Sequence, residues 1–376
     1  MRDLNPAIEL IDTTALLLPK DGPLRRDYTR PAARRSDYYL QTYDAHTVVY
    51  DCVYLPVERG YLITAPRFLN LWRPFRQSLE LDGQPVAKVW RRTWLRCEQV
   101  FIPAREGAEL STELAGIRYP LPARPSQAAR FAGMNVQVAV SKNNHLSWIR
   151  DWAQYHQREH GLEGVVVFDN GSTDYSAEDL RATLTEVDGL KAGLVISAPF
   201  PYGPADKSGR FDVSPRFFQS AMLNLARRDA LSQARAVLSI DIDEMVLPVL
   251  GDTVFDAAAR HPLGMITLAG NWAYPSADTE GPAPQSAHIY RADPDRKCNR
   301  KWAMAPQGFM ARVFGWAVHQ VGGILQNLFT TQSRFRFIHC RACSTGWKRG
   351  RFKWPKPLVR SDQVARLMAK NFGPGS

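Results

Sequence analysis

Three carboxylates fall within four residues at Asp241-Ile242-Asp243-Glu244. So close together, they repel one another unless a cation or hydrogen-bond donors compensate them. The preceding run, Val237–Ile240, is apolar and suits a buried strand, which raises the cost of leaving the charges uncompensated. Oxygen-rich carboxylate sites suit Mg2+ or Mn2+, which usually bridge protein and substrate phosphates. The alternative is an acidic surface turn that closes a strand. A second polar string, Asp169-Asn170-Gly-Ser-Thr-Asp174, follows the apolar run Gly164–Phe168. It is compatible with ordinary turn and N-cap chemistry, or with Asp169 accepting hydrogen bonds from a base or ribose. A third, Ser141-Lys142-Asn143-Asn144, follows Val136–Val140.

The elements that must carry these strings alternate. Leu146–His160 repeats its apolar residues at helical spacing through Trp148, Ile149, Trp152, Tyr155 and His156, and Gly161 is placed to cap it. Ser176-Ala-Glu-Asp179 has the form of a capping box and opens a helix to about Val187. Gly193–Ser197 and Ala236–Ile240 read as further strands, with a long helix over Pro215–Ala234 between them. Strand–helix alternation predicts an α/β fold with a mostly parallel sheet covered by helices. Ligands of such sheets bind beyond the carboxyl ends of the strands, where all three polar strings lie.

Residues 1–125 have a different pattern. Thr47–Leu55, Tyr61–Thr64, Gln77–Leu81, Val86–Arg91 and Gln99–Ile102 alternate with period two, separated by turn signals at Glu58-Arg59-Gly60 and Asp82-Gly83. They predict an N-terminal antiparallel β-rich domain, ending at the proline-rich stretch Tyr119–Pro125. The expected division is 1–125, a catalytic 126–350, and a basic tail over 351–376.

With 376 residues and 45% hydrophobic content, the chain is long enough and apolar enough to build a core without disulfide staples. Its five cysteines are an odd number, which fits a reducing compartment. The start of the chain lacks a signal-peptide pattern and no apolar run reaches spanning length, so a cytoplasmic protein is expected. The net charge is +11, and eight Lys or Arg residues lie between Trp347 and Ser376 against the single Asp362. Such clusters attract nucleotide phosphates, nucleic acid or an anionic leaflet.

Taken in order, Lys142-Asn-Asn, Trp148-Ile-Arg-Asp-Trp-Ala-Gln-Tyr-His156, Val167-Phe-Asp-Asn-Gly-Ser-Thr-Asp174 and Ile240-Asp-Ile-Asp-Glu244 resemble the family 2-type glycosyltransferases, above all the branch related to glycosyltransferase family 92. The segment Phe337–Gly350 is similar to that branch's closing motif. Asn144 stands where the branch usually has Glu, and Met245 where it has an aromatic. The resemblance covers about 215 residues and says nothing of residues 1–125. It implies a GT-A fold and metal-dependent transfer of a sugar from a nucleotide donor, with a UDP-sugar foremost, to a glycan or lipid-linked acceptor, with inversion.

Carried over by position, the resemblance places Lys142, Asn143, Asp169, Asn170 and Lys348 at the nucleotide. Asp241 and Asp243 become the Asp-x-Asp pair for Mn2+ or Mg2+, with Glu244 beside them in the catalytic group. Of two late histidines, His319 and His339, the second lies in the matched segment and is the expected metal ligand. Trp272, Tyr274 and Lys301 are expected at the acceptor. For the general base, Glu244, Asp278, Glu280, Asp293 and Asp295 all remain open. Cys340-Arg-Ala-Cys343 reads as packed thiols rather than a zinc or redox pair. The tail, with Val364, Leu367 and Met368 on one side, is expected either to dock on an anionic inner leaflet or to pack on the catalytic domain. Two rivals are a nucleotidyltransferase, which more often carries a Gly-rich triphosphate loop, and a non-catalytic module that binds nucleic acid or anionic glycan. Nucleic acid is not the expected partner.

Overall fold

In the computed structural model, residues 7–204, 213–345 and 352–373 are described. The strand-forming runs are short, β-branched and buried. β7 is Asn135–Ser141, β8 Gly164–Asp169, β9 Ala192–Ser197 and β10 Ala236–Ser239, and all four are parallel to their neighbours in the order β9-β8-β7-β10. Alternation along β8 sends Val166 and Phe168 to one face and Val165 and Val167 to the other. Each such fully buried side chain contributes about 1.5–3 kcal/mol relative to exposure. The α/β expectation is met.

Helices cover both faces. α2 (Leu146–His160) and α3 (Ala177–Thr185) pack on the side of Val165 and Val167, and α4 (Phe218–Arg228) on the other. α2 ends where Gly161 turns left-handed (φ 66°), and α3 begins in the Ser176–Asp179 capping box. α4 is shorter than the predicted 215–234. Its C-terminal neighbour Asp229 leaves helical geometry because its carboxylate is held by Ser126 Oγ, Gln127 N–H and Arg124.

Beyond β10 the sheet continues as β13 (Lys297–Met304), β12 (Met265–Ala273), β14 (Thr331–Cys340) and β11 (Glu244–Val246), mostly antiparallel. At the opposite edge, β1 (Ala7–Asp12) runs parallel to β9, from Ala7↔Ala192 to Asp12↔Ser197. The close approach depends on Gly193, where a Cβ would stand 2.4 Å from Ile8 Cδ1. This nine-stranded sheet therefore takes its first strand from the region read as the N-terminal part.

The rest of that region is β-rich as expected. β2 (Asp51–Leu55), β3 (Gly60–Pro66) and β4 (Cys97–Pro103) pair antiparallel. Two predicted strands are corrected. Gln77–Leu81 begins as the end of a helix over Trp72–Gln77, because Phe75 and Leu79 bury on one side at helical spacing. Val86–Arg91 is mostly irregular, with a strand only at Trp90–Thr93. A hairpin that the sequence did not suggest joins β5 (Leu110–Leu114) to β6 (Ile117–Pro120), its turn at Ala115 and Gly116 having positive φ at both positions. The region shares a core with α4: Tyr50 meets Phe200 with ring centroids 4.9 Å apart, and buried Arg124 bridges Asp51 and Asp229 at 2.7 and 2.9 Å.

α7 (Asp362–Phe372) meets the second of the two expectations for the tail, packing on the catalytic domain. Its Val364, Leu367 and Met368 are buried in the same cluster as α2, and the carbonyl of Asn371 accepts from Arg158 at 3.0 Å. That apolar face is occupied by the protein itself. No described helix is long and apolar enough to cross a membrane.

Candidate active site

A cleft of about 810 Å3 opens beyond the carboxyl ends of β7, β8 and β10. On its first side, three strand-end loops are laced together. Asn143, held at φ 53°, donates its N–H to Ser172 Oγ at 2.9 Å, and its Oδ1 accepts the Thr173 N–H at 2.7 Å. Asp169 accepts from the hydroxyl and the N–H of Ser172 at 2.5 and 3.2 Å. Asn170 is buried and donates to the carbonyls of Ala198 and Phe200 at 3.0 and 2.8 Å. Turn chemistry thus accounts for the visible bonds of Asp169 and Asn170. Lys142, Asn143, Asn170 and Asp174 line the cleft. Lys348 lies outside the described residues.

The second side is charged, and its geometry comes from strand pairing. β11 and β14 place Glu244 directly opposite His339, and β12 places Trp272 opposite His339 on the next strand. His339 Nε2 stands 2.9 Å from Asp243 Oδ2, and Nδ1 3.3 Å from Glu244 Oε1. Two oxygens and one nitrogen, from Asp243, Glu244 and His339, lie within 4.8 Å of one another. This donor set fits a divalent cation, and the imidazole favours Mn2+ over the all-oxygen preference of Mg2+. His319 lies apart from the cluster. Its Nδ1 faces the Arg300 carbonyl at 3.0 Å, and burial, with Lys301 nearby, lowers its pKa to about 4.

Beneath the carboxylates sits Lys301, fully buried, its ammonium 2.5 Å from Asp241 and 3.0 Å from Glu244. The expectation that Lys301 meets an acceptor is therefore corrected: it is the counter-charge of the acidic string. Burial alone would lower its pKa, but the two carboxylates outweigh burial and raise it, so the ammonium stays charged. Burial pushes the Glu244 carboxyl up to about 7, against the opposing pull of Lys301. Glu244 also accepts the Asp241 N–H at 2.9 Å. With Lys301 on its Oδ2, Asp241 stands outside the three-residue cluster.

α2 steadies this wall from behind. The Val246 N–H donates to His156 Nε2 at 3.3 Å, while Tyr155 and His160 both reach the Val246 carbonyl, at 2.7 and 3.0 Å. The aromatic-and-histidine pattern of α2 therefore fastens β11, the strand that begins with Glu244. His156 accepts at Nε2 and faces the Trp152 carbonyl with Nδ1, and burial lowers its pKa to about 3.

The two aromatic acceptor candidates are corrected as well. Trp272 lies under the His339 ring, with centroids 3.9 Å apart, and Arg341 sits over it at 4.9 Å. It orients the histidine and does not border the cleft. Tyr274 is buried and its backbone bridges Tyr290. Of the open general-base candidates, Asp278, Glu280, Asp293 and Asp295 are exposed and away from the cleft. Cys340 and Cys343 are buried and are not joined by a disulfide. Sequence reasoning missed Tyr38, Gln41 and Thr42 of α1 (Asp37–Thr42), which line the cleft from the N-terminal region, and also Pro199–Gly203 after β9. The expectation that strand ends line the crevice was a signal for Pro199–Gly203 only; α1 had none.

No protein-family profile matches the chain, and no curated protein sequence matches it. Among solved structures, it is similar to the mannosyltransferase Ktr4p from S. cerevisiae, at 13% identity over 40% of this chain and 43% of that one, with a TM-score of 0.26. It is also similar to a fragment of S. aureus TarS in complex with UDP, at 22% identity over 40% of this chain and 38% of that one (TM-score 0.23). An active-site mutant of LgtC matches at 14% identity over 63% of this chain and 96% of that one (TM-score 0.32). The chain thus spans less than half the length of the first two.

Proposed function

We propose that the protein is a metal-dependent glycosyltransferase of the family 2 and family 92 type. It takes a nucleotide-sugar donor, with a UDP-sugar foremost, and passes the sugar with inversion to a glycan or lipid-linked acceptor. The observation that carries this reading is the pairing of Asp243 with His339 at the cleft, above a lysine that neutralises the adjacent carboxylates. Asp243 and His339 would hold Mn2+ or Mg2+. Glu244, whose Oε1 stands 3.3 Å from His339 Nδ1, would orient the ring, as second carboxylates do for metal-bound histidines. The cation supplies compensation for the charge that builds on the departing diphosphate. Lys142 and Asp174 border the same cleft from the loops after β7 and β8, where the nucleotide would lie. The Asn143–Thr173 bonds keep those two loops in register.

Calorimetric titration of UDP and GDP, with and without Mn2+, into the wild type and Asp243→Ala tests this. The expected result is binding of one nucleotide that depends on Mn2+ and weakens at least about 100-fold in the variant. Absence of nucleotide binding under every metal condition would sink the reading.

A further inference from the structure

Two short helices leave large apolar side chains on the surface together. α5 (Phe309–Val313) exposes Phe309, Arg312 and Val313, and α6 (Ile324–Phe329) exposes Ile324, Asn327 and Leu328. Each set has i, i+3, i+4 spacing and forms one face. Met310, Ala311, Leu325 and Gln326 turn inward and anchor the helices, so the outward faces are not a consequence of fraying. Ile324 and Leu328 are 69% and 66% exposed, and Phe329 adds another ring at 56%. A Cβ at Gly322 would stand 2.4 Å from Met310 Cε, which shows how closely the chain entering α6 lies against α5.

Among the described residues, the charged side chains that hydrogen-bond to these two helices are all arginines. Arg312 lies on α5 itself, Arg92 donates to the Val313 carbonyl at 2.9 Å, and Arg300 holds Asn327 of α6. An apolar face rimmed by arginines matches an anionic bilayer, whose headgroups attract the rim while its acyl boundary takes the apolar side chains. A second copy of the chain matches poorly, because a two-fold contact would set the basic rim against itself. A chain of contacts also leads from the face to the acidic string. Arg300 bonds both the His319 carbonyl and Asn327, and the next residue on β13 is Lys301, beneath Asp241.

We propose that the surface formed by Phe309, Val313, Ile324, Leu328 and Phe329 docks the protein on an anionic lipid bilayer. It takes the role that the tail cannot fill once α7 is packed on α2. The proposal rests on the transferase reading only in giving the bilayer a purpose, the presentation of a lipid-linked acceptor.

The test is co-sedimentation of the full chain with phosphatidylcholine vesicles, with and without phosphatidylglycerol, comparing the wild type with Ile324→Asp/Leu328→Asp. Partitioning onto the phosphatidylglycerol vesicles is expected, weakened by salt and lowered roughly tenfold or more in the double variant. Nucleotide titration of the same variant is expected to be unchanged, which separates this proposal from the transferase reading. Failure of the wild type to bind anionic vesicles overturns the proposal, as does equal binding by the variant. A concentration-dependent dimer, seen by light scattering and lost in the double variant, would also overturn it by assigning the face to a second copy.

Discussion

On one side of the cleft, the loops after β7, β8 and β9 are tied together mainly by side chains of Asn, Ser and Thr that bond backbone groups within about thirty residues of sequence. On the other side, Asp241 and Glu244 meet Lys301, and Asp243 and Glu244 meet His339, across 57 to 96 residues, with Lys301 and Glu244 fully buried. The first arrangement is redundant, with each hydrogen bond contributing about 0.5–1.5 kcal/mol. The second has few members, and removing one leaves an uncompensated buried charge, which costs several kcal/mol. The wall of strand-end loops is therefore expected to tolerate substitution, and the charged wall to fail as a unit.

The sharpest way to break this contrast is Lys301→Met. Without the ammonium, Asp241 and Glu244 lose the cation that lies between them, and stability is expected to fall by about 3–5 kcal/mol, read by denaturant unfolding. Lys301→Met combined with Glu244→Gln removes the repulsion and is expected to recover more than half of the loss. An unchanged unfolding midpoint in Lys301→Met would mean that the carboxylates are compensated some other way.

A smaller effect, opposite in sign to that of ordinary buried histidines, is expected from pH. In the fold, Glu244 keeps its proton up to about 7, while in the unfolded chain it releases it near 4.5. Between those values the folded state binds more protons, so stability falls as pH rises through the window; the effect is absent below it and complete above it. His156 and His288, whose pKa values burial lowers to about 3 and about 4, act the other way, since the unfolded chain takes up their protons from 6.5 downward. The measurable quantity is therefore a difference. The melting temperature of the chelator-treated wild type is expected to fall relative to that of Glu244→Gln between pH 4.5 and 7. A flat difference would show that Glu244 is already ionised throughout.

The same contrast governs what the sequence discloses. The strands β7 to β10 and the strings at their ends were legible because each is written in one short window, whereas His339 was singled out by the resemblance, and the fold sets it beside Asp243. The partner of the acidic string was not legible, because a buried lysine 60 positions away has no local mark distinguishing it from a surface one. β1 was missed for a related reason: Ala7–Asp12 only half-alternates, and its place in the sheet depends on the gap left by Gly193. In α7 the apolar stripe was read correctly as a stripe, but periodicity does not say whether a stripe faces a bilayer or α2.

The smallest effect tests the tolerant side. Asn143 combines a left-handed backbone with three side-chain bonds to the 173–174 turn. Asn143→Ala loses the bonds and keeps an unfavourable φ for a residue with a Cβ, a combined cost of about 1–2 kcal/mol. Asn143→Gly loses the same bonds but relieves the backbone, and is expected to cost less than half as much. Both variants should bind nucleotide within roughly tenfold of the wild type, because the Asp169–Ser172 and Asn170 bonds still hold the loops. If either variant loses as much stability as Lys301→Met, the wall of strand-end loops is no more redundant than the charged wall. The contrast between the two sides would then come from their charges alone and not from how many bonds each one shares.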